Sequence, residues 1–141
     1  MKNIKFFLIP GDPTGKDRPR FTRSGHAYTP KKTVSYEQAV RQAYRADYPD
    51  AEPIPAGVPV AAKIIAGYGI PKSTSKVKAE RMLAGEIRPT KKPDADNVAK
   101  AICDALNGLA YHDDSQITML CVSKHYTKNP GCLVRISTNK K

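Results

Sequence analysis

Asp94 and Asp96 stand one residue apart in KPDADN, Lys92 to Asn97, and Lys100 follows one helical turn after Asp96. A second acidic pair, Asp113 and Asp114, lies in YHDDSQ. Carboxylates are the hard oxygen ligands that Mg2+ prefers. The ion takes few of them and keeps water and substrate phosphate in its other positions. Two neighbouring aspartates repel and raise one another's pKa, and a divalent cation removes that penalty. A lysine beside such a pair can steady charge that develops on a phosphate. These residues suit metal-assisted phosphodiester hydrolysis.

A plainer reading uses the same residues. An aspartate ahead of an apolar-periodic run caps a helix or partners its dipole, which is worth about 0.5–2 kcal/mol. Asp96 and Lys100 also make an i,i+4 ion pair, worth about 0.2–0.5 kcal/mol. Asp113-Asp114-Ser115 is ordinary turn composition, and His112 beside it reads as a turn residue. Spacing alone leaves both readings open.

The element that must position the first pair is a helix. Val98, Ala101, Ile102, Ala105 and Leu106 fall on one helical face, and Gly108 ends the run. Asp96 and Lys100 share the opposite face. Pro93 keeps Lys92 out of the helical region, so the chain arrives extended and Asp94 can point the same way as Asp96. Asp114 joins them in one subunit only if the acidic turn folds back onto the helix start, and no local pattern encodes that return.

Upstream, Ile4 to Ile9 reads as a strand ended by Pro10-Gly11. Residues 11–32 read as a long basic loop whose Gly, Pro and Thr content permits mobility, with a hairpin from Phe21 to Tyr28 around Ser24-Gly25. A helix follows, with Thr33 or Ser35 as its N-cap. Pro49, Pro53 and Pro55 make a stiff linker, and VPVAAKIIAGYGI reads as a strand. PKSTSKVKAERMLAGEI reads as a short basic helix, capped by Ser73 or Ser75 and closed by Gly85. Two strands end the chain, ITMLCVSKHYT and CLVRIS, joined by a turn at Asn129-Pro130-Gly131. Mixed strands and helices predict a single α+β domain over residues 1–141, a small mixed sheet with helices mainly on one face.

Charge narrows the partners. The 141 residues hold 24 Lys and Arg against 13 Asp and Glu, a net charge of +11. Nucleic acid is the commonest partner for that excess. No stretch approaches the roughly 20 apolar residues of a membrane span. No amphipathic basic helix with bulky apolar anchors points to a membrane surface. The start, MKNIKFFLIPGDP, lacks a small-residue cleavage site and reads as a strand, not a signal peptide. Cys103, Cys121 and Cys132 match no zinc spacing; each lies in an apolar stretch and is expected as a buried free thiol, suited to a reducing cytoplasm.

KPDADNVAKAICDALNG followed by YHDDSQI resembles the RusA family of Holliday-junction resolvases of bacteria, their phages and prophages. The shared pattern is Asp-x-Asp-Asn-x-x-Lys, then Asp-Ala-Leu, then Asp-Asp-x-Gln. KDRPRFTRSGHAYTPKKTVSYE also resembles the opening segment of one branch of the family. The resemblance implies a RusA-like two-layer fold and a homodimeric, Mg2+-dependent endonuclease, with Mn2+ as an alternative ion and no small-molecule cofactor. Its substrate would be four-way junction DNA, nicked on symmetrically related strands during recombination and repair. Carried over by position, the metal-binding acids are Asp94, Asp96 and Asp114, and the essential lysine is Lys100. Asp113 is a lesser candidate, and Asp104 matches a recurring acid with a structural role.

The basic segments would hold DNA backbone through Lys16, Arg18, Arg20, Arg23, Lys31 and Lys32, and through Lys91 and Lys92 ahead of the motif. Phe21 and Tyr28 would stack or wedge at an open junction centre. Two rivals share this surface: a junction-binding protein without catalysis, and a nuclease for branched DNA in general.

Overall fold

A computed structural model describes residues 2–17 and 19–139. The first apolar run forms β1 (Lys2–Pro10). β2 (Arg20–Phe21) and β3 (Ala27–Tyr28) make a separate antiparallel ribbon. Its turn needs Gly25, whose φ of 84° is costly for any residue with a Cβ. Then come α1 (Lys31–Asp47), β4 (Val60–Gly69), α2 (Lys76–Leu83), α3 (Ala95–Leu106), β5 (Ile117–Thr127) and β6 (Gly131–Asn139).

The main sheet has four strands in the order β1-β6-β4-β5. β6 runs antiparallel to both β1 and β4, while β4 and β5 are parallel. A parallel pair requires a crossover, and α2 and α3 supply it. Alternation along the strands turns Phe7, Ile9, Ile64, Ala66, Val134 and Ile136 toward one face, where they pack with Tyr36, Val40 and Tyr44 of α1 and Val98, Ile102 and Leu106 of α3. The other face is uncovered: Phe6 is 50% and Leu8 57% exposed. The result is the two-layer α+β arrangement expected, a mixed sheet with its main helices on one side.

Some local expectations give way. α1 begins at Lys31, with Pro30 at the N-cap, instead of being capped by Thr33 or Ser35. The proline ring presets φ near −55° for that start. Thr33 is buried, and its hydroxyl accepts a 3.2 Å bond from the Asp17 N–H. Lys31 and Lys32 therefore belong to the first turn of α1, not to the loop. Ser75 caps α2, its hydroxyl accepting from the Lys78 N–H. Cys103 and Cys132 are buried free thiols, but Cys121 is exposed. Cys121 pairs with Lys63 in register, and alternation sends it to the uncovered side of an edge strand.

Candidate active site

α3 is held by its apolar face. Val98, Ile102 and Leu106 are fully buried, each worth about 1.5–3 kcal/mol against exposure. The other face can then carry charge without being needed for folding. Asp94 occupies the N-cap position in extended conformation, yet its side chain makes no capping hydrogen bond. Asp96 is exposed in the first turn and has no ion pair among the described residues. The i,i+4 partner of Lys100 is instead Asp104, at 3.6 Å. Neither the side-chain cap nor the ion pair to Lys100 is made among the described residues, while both acids sit where the helix dipole favours negative charge.

The second acidic pair splits. Asp113 is structural: its Oδ2 accepts from the Ser115 N–H at 3.0 Å, and Gln116 Oε1 accepts from the Asp113 N–H at 2.9 Å. These two bonds make a capping box. Hydrogen bonding at Ser115 holds the Asp113 carboxyl below its usual range. Gln116 also donates to the carbonyls of Pro55 at 2.7 Å and Val58 at 3.0 Å, tying the turn to the proline linker. The Asp114 carboxylate has no ion pair among the described residues.

The acidic turn does not return to the start of α3. The Asp114 N–H donates to Asn107 Oδ1 at 3.0 Å, at the C-terminal end of the helix. Asp94 lies 13 positions earlier, about 20 Å along the axis at 1.5 Å per residue. Topology dictates this. The Tyr68 hydroxyl donates to the Pro93 carbonyl at 2.5 Å, so α3 starts beside the far end of β4. β5 is parallel to β4 and starts at the near end, where α3 stops. Among the described residues, no three His, Cys, Asp or Glu side chains gather to hold a metal within one subunit.

The matching family model carries the description Endodeoxyribonuclease RusA and covers residues 10–137. The chain belongs to the RusA endodeoxyribonuclease family. It is also 41% identical over 135 residues to "Uncharacterized protein YqaN" of Bacillus subtilis (strain 168), covering 92% of this chain and 93% of that one.

The RusA match spans both acidic pairs and the basic segments. Lys16 proves to be a brace. Its N–H donates to the Asn97 carbonyl at 2.9 Å, and its ammonium lies 2.9 Å from Glu37 and 3.4 Å from Asp104. Burial alone would lower the Lys16 pKa, but the bond to Glu37 and the charges of Glu37 and Asp104 raise it. Gly15 keeps the approach close beside it, since a Cβ there would lie 3.0 Å from Pro93 Cβ and 3.1 Å from Asn97 Cβ and would push those neighbours back by a few tenths of an ångström. Arg20 and Arg23 are exposed on the ribbon, Lys31 and Lys32 on the first turn of α1, and Lys91 and Lys92 ahead of α3. Arg18 lies outside the described residues. Phe21 is 72% and Tyr28 47% exposed.

Tyr68 was not anticipated. Its hydroxyl grips the peptide just before Asp94, and burial, with the charges of Cys132 and Asp94 adding, pushes its pKa up to about 12. It stays a neutral donor that fixes where Asp94 begins. No helix among the described residues is long and apolar enough to cross a membrane.

Proposed function

We propose that the protein is a homodimeric, Mg2+-dependent endonuclease that resolves four-way DNA junctions by paired symmetric nicks. The observation that carries this reading is a carboxylate at a helix N-cap that does not cap, Asp94, beside an Asp96 that has no ion pair among the described residues, in a RusA-family chain of net charge +11. Hard oxygen donors without competing partners suit Mg2+, and Mn2+ shares that preference. Asp94 and Asp96 would hold the ion, which would supply a water of lowered pKa and polarisation of the phosphoryl oxygen.

The third acid comes from a second copy. One subunit keeps Asp94 and Asp96 at one end of α3 and Asp114 at the other. Two α3 helices lying antiparallel about a two-fold axis would bring the acids of one subunit's helix start to the partner's Asp114. The same axis matches a four-way junction, which offers two equivalent strands. Lys100, with its side chain 63% exposed, steadies charge on the phosphate, and Asp104 orients it. The exposed lysines and arginines hold backbone, giving salt-sensitive affinity with little dependence on sequence. The protein works on DNA in the cytoplasm, where its thiols stay reduced.

The test is incubation with an immobile four-way junction, a linear duplex and a flap, with and without Mg2+. Paired nicks confined to the junction and to the metal-containing reactions are expected. Equal cutting of the flap would point to a general branched-DNA nuclease. Junction binding that never yields nicks would point to a binding protein.

A further inference from the structure

A cleft of about 340 Å3 opens beside Asp94, between residues 13–17, the first turn of α1 and the start of α3. That volume is at the small end of the range for ligand sites. Lys32 and Lys92 line it, both exposed and neither ion-paired among the described residues, and two acids, Asp17 and Asp94, line it as well. Lys32 is at an electrostatically unfavourable place. The first turn of α1 contains Lys31 and Lys32 and no acid, although a helix N-terminus favours negative charge. An anion bound in the cleft would reverse that penalty, being drawn to both lysines and to the helix end.

The walls are fixed. Lys16 is braced by Glu37 and Asp104, the Asp17 N–H is tied to Thr33, and the Gly15 backbone lies against Pro93 and Asn97. Asp94 and Asn97 both line the cleft. Asp94 thus borders the cleft and the candidate metal site together, so a strand reaching the metal passes the cleft within about one nucleotide. We propose that this cleft seats the nucleotide next to the phosphodiester that is cut, with Lys32 and Lys92 gripping its phosphate and the Asn97 amide donating to the same group. The place of the cut rests on the nuclease reading; the phosphate grip does not.

The experiment measures binding without any divalent ion. Single neutral methylphosphonates are walked one position at a time through one strand around the branch point of a four-way junction, and through a linear duplex. The wild-type protein should be sensitive wherever a basic side chain holds backbone, and at the position seated in the cleft it should lose about tenfold in affinity, the size of one charge-assisted contact. A Lys32→Ala/Lys92→Ala double variant should lose almost nothing further there, and its salt slope should fall by about one. Circular dichroism and a melting curve check that the variant is folded. In a parallel Mg2+ reaction with unmodified junction, the sensitive position should lie one nucleotide from the nick. Equal sensitivity of wild type and double variant at every position overturns the proposal, as does a position of difference between them that lies several nucleotides from the nick. Nicking could fail altogether while the position-specific difference persists. The resolvase reading would then fall and the phosphate site would stand.

Discussion

The Lys100 ammonium lies 3.6 Å from the Asp104 carboxylate one turn ahead, and forms no ion pair with Asp96 one turn behind among the described residues. Both acids are four residues away, and an acid N-terminal to the lysine is the favoured order, so helix geometry alone would choose Asp96. Asp104 is already fixed by Lys16 at 3.4 Å, which places a second cation beside it and leaves Asp96 unclaimed. The helix face therefore carries a structural acid at one place and a free acid at another.

Freeing Asp96 makes it testable apart from stability. Asp96→Asn should abolish Mg2+-dependent cleavage, while junction affinity holds or tightens because a negative charge near phosphate is gone. Lys100→Ala should slow single-turnover cleavage by about 10²-fold or more, with a much smaller loss in a gel-shift titration. Equal losses of rate and affinity for Lys100→Ala would reduce that residue to a backbone contact.

Neighbouring aspartates should behave differently. Asp113→Ala removes the capping box and should lower the melting temperature. Asp114→Asn should melt like the wild type and lose cleavage. A stable Asp113→Ala paired with an unstable Asp114→Asn would contradict the division of roles.

Lys16 predicts an alkaline effect. Its folded pKa is raised above 10.5, so its contribution is complete below that pH and disappears as pH climbs through the higher folded value. Lys16→Met should cost about 1 kcal/mol near neutrality, since the pairs are only partly exposed. Between about pH 9 and 12 the wild type should lose more stability than Lys16→Met. Parallel curves across that range would show that the brace contributes nothing.

The ribbon makes a separate prediction. Phe21 is 72% exposed, so Phe21→Ala should change stability by less than about 0.5 kcal/mol. If the ring stacks on an open junction centre, junction affinity should fall by about 1–3 kcal/mol while duplex affinity barely changes. An equal loss on both DNAs would mean general backbone contact.

The elements were legible because apolar periodicity is local. The inward Val98, Ile102 and Leu106 of α3 follow directly from their spacing, whereas the unbroken apolar run Phe6 to Ile9 of β1 marks a strand without saying that Phe7 and Ile9 face inward. The start of α1 was misread because hydroxyl residues are the commoner caps, while Thr33 faces inward to hold Asp17. The choice between Asp113 and Asp114 had a local sign: Asp113 and Gln116 stand three apart, the spacing of a capping box. The docking end of the acidic turn had none. It follows from β5 lying parallel to β4, a pairing across the whole crossover that no short window contains.

Mixing two inactive variants tests the shared site most directly. Asp96→Asn and Asp114→Asn protomers are co-refolded and the heterodimer is isolated by two affinity tags. If Asp96 of one subunit and Asp114 of the other serve the same metal, one site of the heterodimer carries both substitutions and the other carries neither. The expected result is a single Mg2+-dependent nick per junction, where each parent homodimer gives none. A heterodimer that binds junctions as tightly as the wild type but leaves both strands whole would contradict the shared site.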